Sequence, residues 1–419
     1  MNKKTYLFLG IPLILIISVI LTVYIKKNNE YIVLEFGMFA GSNWDVANAD
    51  SYIIIDQAIK RFENEHRNVK IHYNSGILKE DYSEWLSQQA LLGKTPDVFM
   101  VLTSDFNQFS SVGILKNLEN LSKKDDDFDP GVYFTTALNA GKYQEIQYAL
   151  PYETVPTLMF VNKTLLYEEG IEVPENDWTW DDFKSMVAET STDQHYGLTM
   201  SLIKSEEGTF NVLPFIWQAG ADYDSLDSAG AKEAMTMIND FYQNGYMSKE
   251  LISMTQADMC ASLFATGKSS MMVAGSWLQR NIANENPDLN YGVVTFPMYK
   301  NAASPIGGGN IMMMKDDNKA AAWKLMSFLS GKENSRKYCE DAGYISPRMD
   351  SVADSKLWVE DPVLSVYTEQ LKLAKARGPH PKWPEISSAL QFAYQDVLAG
   401  TASVEAAFDQ AAKQVSEIK

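Results

Sequence analysis

Residues with the means to hold a ligand gather around Phe264-Ala265-Thr266-Gly267-Lys268-Ser269-Ser270-Met271-Met272-Val273-Ala274-Gly275-Ser276-Trp277. Gly267 suits the end of a helix, where a left-handed residue without a Cβ is wanted. The apolar run from Ser270 to Ala274 then reads as a short central strand. Gly275 opens a turn, and Trp277 follows just past the strand's carboxyl end. Open α/β sheets bind ligands in the crevice outside those ends. An indole there offers a flat apolar face and one N–H donor, although the same residue would also serve as core packing. Gly267-Lys268-Ser269 matches the tail of a phosphate loop, but the motif's first glycine falls on Ser262, which excludes a nucleotide.

Other chemistries fail on spacing. The two cysteines, Cys260 and Cys339, fit no redox or metal pattern and read as buried thiols. His66, His72, His195 and His380 show no ligand-like grouping, so neither metal nor cofactor is expected. Asp125-Asp126-Asp127-Phe128-Asp129 begins like a calcium loop, yet Pro130 stands where glycine is needed and Thr136 where glutamate is needed. It reads as a solvated loop. The net charge of −18 repels phosphate backbones and argues against nucleic acid.

The elements that position Trp277 follow from periodicity. The 419 residues suffice for two cores, and 46% hydrophobic content with nine tryptophans marks a globular chain. Tyr6 to Ile25 is apolar over a length that, at about 1.5 Å per residue, reaches about 30 Å, the thickness of a bilayer's hydrocarbon core. Thr22-Val23-Tyr24-Ile25 offers no small-residue cleavage site and no cysteine follows for lipid attachment. Residues 1–30 therefore read as an uncleaved signal anchor with its linker, a cleaved signal peptide being the alternative. Lys3 and Lys4 against Lys26 and Lys27 leave its orientation open.

Tyr31 to Phe39 alternates as a first strand and empties into Gly41-Ser42-Asn43-Trp44-Asp45. Ile55, Ala58, Ile59 and Phe62 mark a helix, Val69–Tyr73 a strand, Tyr82–Leu92 a helix and Asp97–Val101 a third strand leading to Ser104-Asp105. That order implies a parallel sheet with right-handed crossovers. Tyr148–Glu153 and Leu158–Asn162 are further strands, and Thr179 with Asp182 forms a capping box before Phe183. Trp217 sits on a helix near Gly220, and Tyr291–Phe296 is a strand. Gly307-Gly308-Gly309-Asn310 precedes the strand Ile311–Met314, as close backbone approach to a ligand or a turn requires. Gly343 to Arg348 reads as a buried turn with one cation, and the tail is helical. No repeat or long linker divides the chain, so it passes more than once between two lobes.

Taken together, several ordered motifs resemble the extracellular solute-binding proteins of ABC importers, in the branch that includes maltose-binding proteins. They are Gly93-Lys94-Thr95-Pro96-Asp97-Val98, Gly113-Ile114-Leu115-Lys116-Asn117-Leu118, Leu150-Pro151-Tyr152 with Phe160-Val161-Asn162-Lys163, Trp180-Asp181-Asp182-Phe183, the Phe264–Trp277 stretch and Gly307-Gly308. The N-terminus departs from the many relatives with a lipid-anchored cysteine or a cleaved signal. The resemblance implies an α/β, two-lobed periplasmic-binding-protein-like fold with the ligand cleft between lobes. It places one lobe at 31–139 plus 296–330 and the other at 140–295 plus 331–419. Hinge closure over the solute would present the closed form to the importer's permease subunits in the membrane.

By the same resemblance Trp277 is the stacking platform, faced by Trp44 with Asn43 and Asp45. Asp105, Glu153 and the backbone of Gly308, Gly309 and Asn310 would hydrogen-bond hydroxyls, with Trp217, Arg348 and Trp383 as further candidates. A sugar ring, with an apolar C–H face and a rim of hydroxyls, suits such a set. The expectation is a monomeric, membrane-tethered, extracytoplasmic carbohydrate receptor, an oligosaccharide being the first choice. Three readings compete with it. A surface glycosidase would need two carboxylates about 5–10 Å apart, such as Asp105 and Glu153. A ligand sensor docked on a membrane kinase would use the same cleft. A polyamine would want aromatic faces and carboxylates, and a glycerol-phosphate-type solute clustered cations, for which only Arg348 looks placed.

Overall fold

The computed structural model describes residues 31–38, 51–74, 77, 79–175, 177–314, 319–360, 362–378 and 380–418. Its strands in chain order are β1 (Ile32–Gly37), β2 (Val69–Asn74), β3 (Val98–Leu102), β4 (Lys142–Tyr143), β5 (Ile146–Gln147), β6 (Ala149–Pro151), β7 (Val155–Asn162), β8 (Tyr196–Thr199), β9 (Ser269–Gly275), β10 (Tyr291–Val294), β11 (Ser304–Gly307), β12 (Gly309–Met313) and β13 (Ala374–Ala376).

Alternation sets β1: Leu34 and Phe36 are buried and Val33 and Glu35 face out. β1 pairs in parallel with β2 and β3, and the helices Ser51–Glu65 and Lys79–Leu91 make the crossovers. This is the β-α-β-α-β order read from the sequence. The sheet then continues antiparallel through β12 to β6, giving the order β2-β1-β3-β12-β6.

A second sheet is built on β7, whose eight residues are all buried. A strand covered on both faces needs a continuous apolar run, and Val155–Asn162 supplies one. β9 lies antiparallel along one side of β7, and β10 and β11 share the other. β8 pairs in parallel with β9, and β13 with β11. The molecule therefore has two α/β halves with a sheet in each.

Three segments pass between the sheets. β6 runs into β7 through Tyr152-Glu153-Thr154, and β11 runs into β12 at Gly307-Gly308. The third carries Ile345, which exchanges backbone hydrogen bonds with Thr154 at 3.1 and 3.2 Å. Against the lobe boundaries expected from the sequence, β6 lies in the first sheet and β11 in the second. The helix Lys332–Ala342 packs on Ser51–Glu65 of the first half, whereas Trp383–Leu398 and Val404–Glu417 pack on each other and on helices of the second.

The apolar stretch Tyr6–Ile25 and the loop carrying Asn43, Trp44 and Asp45 lie outside the described residues. Among the described residues no helix is long and apolar enough to cross a membrane. Cys260 and Cys339 are both buried, and neither is in a disulfide.

The capping box takes the form its spacing demands. Asp182 Oδ2 accepts from the Thr179 N–H at 2.8 Å, and Thr179 Oγ1 accepts from the Asp182 N–H at 3.3 Å. The helix Trp180–Glu189 that starts there buries Trp180, Phe183, Met186 and Val187. Thr179→Ala should cost about 1 kcal/mol, read as a lower urea midpoint with an unchanged slope.

Candidate functional site

β9 ends at Gly275, and the chain turns at once so that the Trp277 ring folds back across the strand end. A Cβ built on Gly275 would stand 1.7 Å from the indole, so only glycine allows this turn. Ser276 Oγ donates to the Gly343 carbonyl and ties the turn to the third crossing segment. The indole is 8% exposed and tilts at 41° against the Phe210 ring, 6.2 Å between centroids. The indole lines a narrow cleft between the halves, with a cavity volume of about 60 Å³.

Each half contributes a wall. From the first come Leu102, Thr103 and Ser104, at the carboxyl end of β3. The floor is the crossing itself, with Glu153, Gly307, Gly308 and Tyr344. From the second half, Glu206, Glu207 and Phe210 enter on the first turn of the helix Glu206–Gln218, whose Ser205 cap accepts from the Glu207 N–H at 3.2 Å. Gln256 stands at the start of the helix Gln256–Met259, placed there by a second capping box between Thr255 and Asp258. Arg377 follows β13.

The charges are arranged around Arg377, which is 8% exposed. Its guanidinium lies 4.3 Å over the Phe210 ring. Nη1 donates to the Glu206 carbonyl at 2.9 Å and pairs with Glu206 Oε2 at 3.3 Å. Glu207 Oε2 accepts from the Gln256 N–H at 2.9 Å. Burial pulls the Arg377 guanidinium below its ordinary value, opposed by the charges of Glu206 and Asp105. Glu153 is buried beside the Tyr338 hydroxyl and the Cys339 thiol, whose values burial and that carboxylate push up.

Three buried polar atoms of lining residues have no hydrogen-bond partner: Trp277 Nε1, Gln256 Oε1 and Arg377 Nε. A buried polar group left unpaired costs about 1–3 kcal/mol, a cost that a solute's own polar atoms could offset. All three belong to residues that line the one cleft, two as donors and one as an acceptor.

Comparison with known proteins agrees. Residues 57–365 match the model of the bacterial extracellular solute-binding protein family. The chain belongs to this family. The galactooligosaccharide-binding protein of Bacillus subtilis is 26% identical over 373 residues, 86% of this chain and 85% of that protein. A solved ABC-transporter solute-binding protein of Thermotoga lettingae, bound with alpha-D-tagatose, superposes with a TM-score of 0.78 at 25% identity, covering 92% of this chain and 99% of that one. The sugar-binding protein of Xanthomonas citri shares the fold with a TM-score of 0.80 at 20% identity over 92% of this chain and 97% of that one. A solute-binding protein is not an enzyme, which removes the glycosidase reading.

Within this solute-binding protein, Trp277, Glu153 and Gly308 line the cleft together. Gly309 and Asn310 stand one step behind. Asn310 Nδ2 donates to Thr103 Oγ1 at 3.2 Å, and the Gly309 carbonyl accepts from the Tyr152 N–H at 2.9 Å. Asp105 is likewise behind the wall rather than in it. Burial raises its carboxyl above the ordinary value, hydrogen bonds with Ser83 and Ser104 oppose the rise, and the Glu206 charge adds to it.

Three candidates correct to supporting roles. Trp383 is buried, and its Nε1 donates to Glu206 Oε2 at 3.2 Å, holding that carboxylate from outside the cleft. Trp217 is core packing, its Nε1 donating to Asp222 Oδ1 at 2.8 Å. Arg348 forms a two-pronged pair with Asp350 at 3.0 and 2.8 Å, with its guanidinium 5.1 Å from the Tyr133 ring centroid, away from the cleft. Sequence reading missed Glu206, Glu207, Phe210, Gln256, Tyr344 and Arg377. Ser205-Glu206-Glu207 announces a helix start by its cap and acidic first turn, but nothing local says that the start faces Trp277.

Two outcomes follow. Gly275→Ala forces the indole aside and should destabilise the protein by about 1–3 kcal/mol, with a changed near-ultraviolet dichroism of the tryptophans. Asp105, raised in the folded state, contributes stability that is full below the ordinary carboxyl value of about 3.9 and is lost as pH rises through its folded value. Asp105→Asn removes that loss, so the variant should gain on the wild type as pH rises from about 4 in urea titrations. A difference independent of pH would contradict the assignment.

Proposed function

We propose that the protein is the extracytoplasmic receptor of an ABC importer that captures a carbohydrate, an oligosaccharide first, in this cleft and delivers it to the membrane permease. The observation that carries the reading is the Trp277 indole, flanked by Phe210, above a floor of Glu153 and Gly308. An aromatic face takes the C–H side of a sugar ring, and carboxylates and unpartnered N–H groups take its hydroxyls. The names of the Bacillus subtilis and Thermotoga lettingae proteins, a galactooligosaccharide binder and a tagatose complex, point the same way.

The extracytoplasmic location follows from the family, and the tether is the proposed role of residues 1–30. We take the first lobe as β1–β3, β6 and β12 with the helices Ser51–Glu65, Lys319–Leu329 and Lys332–Ala342, and the second as β7–β11 and β13 with the helices packed on them. Solute touching both lobes would favour their closed arrangement, and the receptor would act as a monomer. The three lining carboxylates with an aromatic face also suit a polyamine, so that class belongs in the test.

Thermal-shift titration of the full chain with lactose, galactobiose, maltotriose, raffinose, spermidine and glycerol 3-phosphate decides between them. A saccharide should raise the melting midpoint by mass action. Trp277→Ala should weaken its binding about 100-fold, or about 2.8 kcal/mol. A response to spermidine alone overturns the carbohydrate reading.

A further inference from the structure

A sugar receptor must decide whether to accept charged sugars, and here the cleft carries a buried guanidinium where a phosphate or carboxylate would be welcome. Among the described residues Arg377 is the one cation lining it, against three carboxylates, Glu153, Glu206 and Glu207. The neighbouring cation two residues back is engaged elsewhere, since Lys375 pairs with Asp222 and lies over the Trp217 ring. Arg348, the cation expected from the sequence, is held by Asp350.

Arg377 itself is not a free charge. Glu206 takes Nη1 twice, through its backbone carbonyl and its carboxylate, and Asp105 adds a second negative group behind. Glu206 is fixed in turn by the Trp383 N–H. Phe210 covers one face of the guanidinium. Its Nε is buried without a hydrogen-bond partner, and so are Trp277 Nε1 and Gln256 Oε1 on two other lining residues. A guanidinium whose charge is already matched keeps its geometry as a donor but offers no surplus charge to an anion.

We propose that Glu206 is the specificity-determining residue that makes this cleft a receptor for uncharged hydroxyl-bearing rings and closes it to phosphorylated and carboxylated sugars. The inference rests on the cleft being the sugar site. Glu206 matches the Arg377 charge, leaves Nε–H to donate to a hydroxyl or ring oxygen, and with Glu153 and Glu207 sets a negative potential at the place an anion would occupy. Trp277 Nε1 donates to a second oxygen, and Gln256 Oε1 accepts from a hydroxyl. Sugar oxygens meet all three demands, because each hydroxyl both donates and accepts.

The test is calorimetric titration of the full chain with galactobiose, maltose, galactose and glucose, the 1-phosphates of both monosaccharides, and galacturonate and glucuronate. The wild type should bind at least one neutral sugar and bind the matching phosphate and uronate at least 100-fold more weakly. Glu206→Gln preserves the size and an acceptor for Trp383 while freeing the guanidinium. It should narrow that ratio at least tenfold by gaining affinity for the anions. Arg377→Met should weaken neutral binding while leaving the anions excluded. A wild type that binds galactose 1-phosphate or galacturonate within tenfold of galactose overturns the proposal without any variant. So does a folded Glu206→Gln protein with an unchanged ratio. Silence toward every sugar here, together with a thermal shift for spermidine, overturns the proposal by a different route, the failure of the ligand class on which it rests.

Discussion

The crossing of three chain segments beneath the cleft is the constraint on which the rest of the structure depends. A floor made of backbone, rather than of side chains, can be close-packed only if every N–H and C=O on its buried side is paired. The Tyr152 N–H reaches the Gly309 carbonyl at 2.9 Å, the Gly308 carbonyl takes both the N–H and the hydroxyl of Thr103 at 2.9 and 3.0 Å, and Thr154 and Ile345 pair with each other. Gly308 holds a φ of +115°, and a Cβ there would meet the Glu153 carbonyl oxygen at 2.3 Å. Moving this residue away from glycine would part β11 from β12 and with them the two sheets. Because Glu153 and Gly308 also line the cleft, the joint between the halves and the bottom of the site are one structure.

That economy explains which parts of the site are rigid. Glu153 is set by the crossing and by the packed helix Lys332–Ala342, whose Tyr338 ring tilts at 39° against that of Tyr152, 4.4 Å between centroids. Trp277 is set by Gly275 and by the Ser276 tie to Gly343, so the platform too is anchored to a crossing segment. The remaining wall is held by helix starts. Glu206 and Gln256 sit at helix starts where a capping side chain accepts from a first-turn N–H and fixes that turn. Groups so held lose little freedom on binding, which is the general condition for a site to be pre-organised.

The sequence made legible what local pattern controls. The parallel start of the first sheet, the buried run of β7, the capping box at Thr179 and the delivery of Trp277 past β9 each rest on periodicity or on one glycine. The family followed from the order of such motifs along most of the chain. The facing wall was illegible for a physical reason. Arg377 reaches the cleft because β13 pairs with β11, and β11 with β7, a chain of long-range contacts that no window of sequence displays. Trp217, Trp383 and Arg348 were attractive by residue type, and packing gave all three other partners. Asp105 was read at the right strand end but one residue too deep, since Ser104 faces the cleft and the carboxylate turns back to Ser83 and Ser104.

The unpartnered atoms bear on how such a receptor would move. Trp277 Nε1, Gln256 Oε1 and Arg377 Nε all belong to the second half, whereas Thr103 and Ser104 belong to the first. In the arrangement seen here all three are shut off from water, and Asn107 Nδ2 of the first half donates to the Gly378 carbonyl of the second. Without solute, covering those atoms costs free energy that opening to water would recover, since water would hydrogen-bond each one. With solute in place, its own oxygens repay the cost and in addition touch both halves. A solute that met those atoms and touched both halves would therefore favour the covered arrangement over an uncovered one, which is the differential affinity a two-state receptor requires. A cleft whose polar groups were already satisfied by protein would bind with less demand on geometry and would close as readily empty as full.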